Sequence, residues 1–123
     1  MPKITDLLHV SILVSDLERT RAFYEGMLGL TPSAKRPQMT FDGVWYDIGP
    51  AQIHVLVLPN PDENSTRPEH GGRDRHIALG VADWESVRLL LDQAGVAYTL
   101  SRSGRRALFC RDPDGNALEL IEV

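Results

Sequence analysis

The sequence predicts an α+β protein made of two pseudo-symmetric β-α-β-β-β modules that form a mostly antiparallel mixed sheet. Three observations carry this expectation. One stretch occurs twice at a constant offset, each copy passes from a strand pattern into a helix pattern at an Asp, and a polar, Pro-containing stretch separates the copies.

The repeat aligns His9-Val10-Ser11-Ile12-Leu13-Val14-Ser15-Asp16-Leu17-Glu18 with His76-Ile77-Ala78-Leu79-Gly80-Val81-Ala82-Asp83-Trp84-Glu85, an offset of 76 − 9 = 67 throughout. Histidine meets histidine, and Asp16 meets Asp83. Each copy opens with alternating side chains suited to a strand and ends at an Asp able to cap a helix N-terminus.

In chain order, the first strand starts at His9, and Asp16 caps a helix over about Leu17–Leu28. Leu17, Thr20, Phe23, Tyr24 and Met27 form its inner face by three- and four-residue spacing. Strands over Gly43–Ile48 and Gln52–Leu58 follow, broken by Gly49-Pro50. Pro59–Arg75, with three prolines and two glycines, reads as an exposed linker. The second copy adds a strand from His76 and a helix over Trp84–Ala94, with Trp84, Val87, Leu90, Leu91 and Ala94 inward and Gly95 as its stop. Strands over Val96–Leu100, Arg106–Arg111 and Ala117–Val123 complete it, the last two joined by the turn Asp112-Pro113-Asp114-Gly115. The expected organisation is one domain over 1–123, with module 1–58 and module 76–123 joined by the linker 59–75.

Composition narrows the function classes. At 123 residues, 42% apolar and 24% charged, the chain can bury a core of its own. The net charge of −4 and the lack of a long Lys/Arg run argue against a nucleic-acid partner. Arg102, Arg105 and Arg106, broken by Ser and Gly, read as a solvated hairpin. No apolar run approaches the ~20 residues of a membrane span. The single cysteine, Cys110, lies in an apolar strand and reads as a buried thiol, which fits a cytoplasmic, reducing setting.

Strand parity selects the residues that carry chemistry. His9, Ser11 and Leu13 share one face of the first strand, and His76, Ala78 and Gly80 share the same face of its repeat, where mostly small neighbours leave room. Gln52, His54, Leu56 and Leu58 share a face in the first module, as Ala117, Glu119 and Ile121 do in the second. His54 and Glu119 are near-equivalent, 119 − 54 = 65. A single strand histidine is usually a satisfied structural residue. Two at one repeated position, with His54 and Glu119 at another, form a candidate ligand set for one divalent ion per site: Zn, Ni, Fe, Mn or Co. His70, in the linker, reads as solvent-exposed.

The stretch His9-Val10-x-Ile12-x-Val14, with Thr20, Phe23-Tyr24 and Leu28-Gly29-Leu30, resembles the N-terminal signature of glyoxalase I. Together with His76-Ile77-Ala78-Leu79 and Asp112-Pro113-Asp114-Gly115-x-x-Leu118-Glu119-Leu120-Ile121-Glu122, the chain resembles the vicinal-oxygen-chelate superfamily of glyoxalase I, bleomycin resistance proteins and extradiol dioxygenases. The resemblance implies the glyoxalase-like fold, with sheets curled into a cup around the ion, and a homodimer whose sites are shared between chains. It places His9, His76 and Glu119 on ligand positions. His54 stands where glyoxalase I has a glutamate, and Gly26 where it has a basic residue for the glutathione carboxylate; Arg73 and Arg75 are candidate replacements.

The chemistry implied first is glyoxalase I-like lyase or isomerase action on a small oxygenated substrate chelated by the metal. Glu119 is then the candidate base, and His54 a fourth ligand or second proton carrier. The alternative is Fe(II) ring cleavage of the extradiol type; Phe109 replaces that signature's tyrosine, and its histidine is missing from Leu100–Leu108. A non-enzymatic small-molecule (antibiotic) binder would instead use Phe41, Trp45 and Tyr46 to line a hydrophobic cup.

Overall fold

A computed structural model describes residues 1–123. Two compact units, Met1–Asn60 and Pro61–Val123, divide the chain. Each carries one four-stranded mixed sheet and few helices, so the chain is α+β.

In the first unit the order is β1 (His9–Val14), α1 (Leu17–Arg21), a π-helical continuation (Ala22–Met27), β2 (Thr31–Pro32), β3 (Gly43–Ile48) and β4 (Ala51–Val57). The sheet runs β1-β4-β3-β2, with β1 parallel to β4 and the other pairs antiparallel. The Asp16 carboxylate accepts from Arg19 N–H at 3.1 Å and so caps α1. Beyond Arg21 the expected regular helix widens: Leu28 N–H donates to Phe23 C=O at 3.0 Å, a five-residue span. Consecutive Phe23 and Tyr24 are both buried there, beside Thr20. The Tyr46 hydroxyl donates to Glu25 at 2.8 Å, so this buried ring belongs to the core. β2 escaped the sequence reading because it spans two residues and includes a proline, which an edge strand tolerates.

The second unit follows the same plan: β5 (His76–Val81), α2 (Trp84–Ala94), β6 (Tyr98–Leu100), β7 (Ala107–Arg111) and β8 (Ala117–Glu122), with sheet order β5-β8-β7-β6. β5 and β8 are parallel, the other pairs antiparallel. Asp83 caps α2 through Ser86 N–H at 3.2 Å, and Gly95 closes it at φ 70°. Trp84 and Leu91 are the buried residues of α2, and the Trp84 indole N–H donates to Leu120 C=O at 3.0 Å. Leu90 and Ala94 are exposed rather than inward. Residues seven apart on a helix return to one line, so Trp84 and Leu91 form the narrow stripe that is buried. In the turn, Gly115 N–H donates to Asp112 C=O at 3.0 Å, and the Asp112 carboxylate gathers the N–H groups of Asp114 and Asn116.

The linker is less exposed than its composition suggests. Asp74 is nearly buried between Arg67 at 2.9 Å and Arg111 at 2.8 Å, and Arg111 also donates to Pro68 C=O at 2.5 Å. A short 3-10 turn, Gly71–Arg73, carries Gly71 against Phe109. The segment is fastened to its own unit by an ion triad that spans distant sequence positions. No helix is long and apolar enough to cross a membrane.

Candidate functional site

The predicted residues form two pairs, one in each unit. In the first unit the parallel register sets His9 beside Gln52 and Ser11 beside His54, and the antiparallel register sets Trp45 beside His54. Three rings stack as a result. His54 lies between His9, at 3.8 Å and 12°, and Trp45, at 3.8 Å and 0°. His54 is only 9% exposed, and burial with His9 beside it holds the ring below the usual imidazole range. It is therefore a neutral imidazole at physiological pH. Its Nε2 lies 2.9 Å from Gln52 Oε1.

In the second unit β5 and β8 set Ala78 beside Glu119, and β7 sets Phe109 beside it from the other side. The His76 Nε2 lies 3.2 Å from Glu119 Oε1, and Arg105 reaches Glu119 Oε2 at 3.3 Å. Glu119 is 6% exposed among Leu118 and Leu120, whereas the Arg105 side chain is 60% exposed. The Phe109 ring meets His76 edge-on at 5.1 Å and His70 at 5.0 Å. A cleft of about 440 Å³ opens beside Arg105, lined also by Ala78, Gly80, Arg106 and Ile121.

The His76 hydrogen bonds bear on whether a cation fits. Its Nδ1 lies 2.8 Å from Asp74 C=O, which only accepts, so Nδ1 carries the ring proton. With the proton there alone, the ring would turn its Nε2 lone pair toward a carboxylate oxygen. Two acceptors 3.2 Å apart call for positive charge, either a proton on Nε2 or a cation shared by both. Imidazole nitrogen and carboxylate oxygen are a donor set for Zn²⁺ and its first-row neighbours, so these residues fit such an ion. Asp74, whose carbonyl holds His76, is itself held: burial pushes its carboxyl up, but Arg111 and Arg67 outweigh this and bring it to about 2.

Neither unit alone gathers three His, Cys, Asp or Glu side chains into one ligand group. The structure pairs His9 with His54 and His76 with Glu119.

A model of the Glyoxalase/Bleomycin resistance protein/Dioxygenase superfamily matches residues 6–120. The chain belongs to this superfamily. Within it, the chain is 28% identical over 122 residues to Glyoxylase I 4 of Arabidopsis thaliana, covering 95% of this chain and 70% of that protein. It is 28% identical over 124 residues to the lactoylglutathione lyase of Salmonella typhimurium, covering 95% and 92%. Among solved structures, the fosfomycin resistance protein FosX of Listeria monocytogenes superposes with a TM-score of 0.76 at 18% identity, covering 97% of this chain and 91% of that one. That identity speaks for the superfamily's fold alone.

Four side chains depart from the roles the sequence suggests. Arg105, read as part of a solvated hairpin, pairs with Glu119, and Arg106 lies over Trp84 at 5.1 Å and pairs with Glu85 and Glu122. His70, read as exposed, is half-buried, its Nδ1 2.6 Å from Thr99 Oγ1. Arg75, the candidate cation for a substrate carboxylate, is paired with Asp62 at 2.9 Å. Parity could have flagged Phe109, because it sits in register with Glu119. The reach of a long arginine cannot be read that way.

Proposed function

We propose that this chain is a divalent-metal-dependent enzyme with glyoxalase I-like lyase or isomerase chemistry on a small oxygenated substrate. The observation that carries the reading is the Glu119–His76 pair in the second unit, an imidazole nitrogen 3.2 Å from a carboxylate oxygen. His9, His76 and Glu119 are the candidate ligands, with His54 the remaining donor or proton carrier. The bound ion would supply Lewis acidity toward the substrate oxygens, making the C–H on an oxygen-bearing carbon beside the carbonyl more acidic.

The chain's own groups then move the proton. Glu119, largely shielded from water, accepts it from one carbon and returns it to the adjacent carbon, so no proton is gained or lost overall. Arg105 holds the other carboxylate oxygen and fixes the direction in which the group points. Neutral His54 is suited to carry the second proton between the substrate oxygens.

Each unit supplies two of the four candidate residues. A homodimer, in which two copies supply the halves of each site, is consistent with two features. The strands bearing His9 and His76 are the edge strands of their sheets, and Ile4, Leu7 and Leu8 before β1 are exposed. The buried Cys110 suits a reducing, cytoplasmic setting.

The test is anaerobic reconstitution with single metals, followed by assays with the methylglyoxal–glutathione adduct and with catechols. Metal-dependent turnover of the adduct is expected. Oxygen uptake with catechol that depends on Fe(II) would replace the reading with ring cleavage. Glu119→Gln should lower kcat/KM by at least about 100-fold or abolish metal retention; a fully active, metal-loaded variant would remove Glu119 from the mechanism.

A further inference from the structure

The Gln52 amide lies between two groups on the face that bears His54. On one side Gln52 Nε2 donates to Asp47 Oδ1 at 2.8 Å, and on the other Gln52 Oε1 lies 2.9 Å from His54 Nε2. A carboxylate only accepts, so it fixes which end of the amide faces Asp47. The carbonyl end must then face His54. An amide carbonyl also only accepts, so His54 Nε2 must carry the proton.

The register explains why these groups meet. Asp47 is opposite Gln52 and Trp45 opposite His54 in the β3–β4 ladder, while His9 is opposite Gln52 in the β1–β4 ladder. With His9 and Trp45 stacked on the two faces of His54, the ring can exchange its edges only by a half-turn between them. That turn would set a C–H against the Gln52 carbonyl and lose the hydrogen bond.

We infer that Asp47 and Gln52 are positioning residues that hold His54 as the Nε2–H tautomer, leaving Nδ1 as its one lone-pair nitrogen. The second unit makes the opposite choice. His76 donates its Nδ1–H to Asp74 C=O and turns Nε2 toward Glu119. The two modules therefore present their imidazoles through different nitrogens, each fixed by a neighbour within two residues in sequence. His54, if it binds metal or takes a proton as proposed above, does so through Nδ1.

The measurement is a long-range proton–nitrogen correlation spectrum of the four imidazoles in the full-length, metal-free protein at pH 8. His54→Gln identifies the signal of residue 54 by its loss. Wild type should show His54 protonated at Nε2 alone. Gln52→Leu, which removes the acceptor, should shift that pattern toward a mixture of tautomers. Gln52→Glu, which can still accept, should restore it. Asp47→Leu frees the amide to turn and should shift the pattern in the same direction as Gln52→Leu. A wild-type His54 protonated at Nδ1, or a pattern that Gln52→Leu leaves unmoved, would overturn the inference. The wild-type spectrum decides the point even if a variant fails to fold. Because the spectra need no metal, this inference and the metal reading on which its functional meaning rests can fail separately. Where metal binds, Gln52→Leu should weaken it about 10- to 100-fold.

Discussion

Asp74 shows how one residue can serve both the fold and the candidate site. Its carboxylate is nearly buried between two guanidiniums, and its carbonyl accepts a hydrogen bond from the His76 ring. Asp74→Asn should leave the Arg67 and Arg111 charges without their counter-ion, costing about 3–5 kcal/mol of stability in denaturant titration. Cys110 is the opposite case, a group with no chemistry at working pH. Burial first, then the charge of Asp112, pushes its thiol up to about 12. At pH 8 it stays protonated, so the native protein should resist alkylation and react only once unfolded; rapid labelling without unfolding would contradict this burial. Cys110 was legible because an apolar strand announces a buried thiol. Asp74 and Arg105 were not, since their partners lie 37 and 14 residues away and only the folded sheet brings them together.

Secondary-structure elements were legible where local chemistry decides them. The Asp that ends each repeated strand caps a helix in both units, and Gly95 ends α2 in the left-handed conformation. Gly95→Ala should cost about 1 kcal/mol, because a Cβ is strained at that φ; an unchanged melting midpoint would mean the cap relaxes. Parity also puts His54 on the same face of its strand as Gln52, and the two side chains meet there. The π-helical turn after Arg21 and the two-residue β2 were not legible. Both depend on how Phe23, Tyr24 and Tyr46 fill one core, and spacing along the chain does not encode that. The linker's contacts are illegible for a related reason: its composition is that of a loop, but Asp74 fastens it to Arg111 of its own unit.

At the scale of the whole molecule, duplication explains the pattern of polar residues. Each unit repeats a mixed sheet with a histidine on its edge strand and a second polar donor on the neighbouring parallel strand. The copies have diverged at the second donor, His54 in one and Glu119 in the other, and in the ring beside it, Trp45 against Phe109. One unit thus offers a neutral aromatic stack and the other a charged pair with an arginine. That division suits a centre needing one carboxylate and several imidazoles. Isothermal titration of the full chain with Ni²⁺ and with Zn²⁺ tests this most directly, using wild type, His9→Ala and His76→Ala. Wild type should bind one ion per chain and each variant should bind at least about 100-fold more weakly; equal affinity in all three proteins, or no binding in any, would contradict the proposed ligand set.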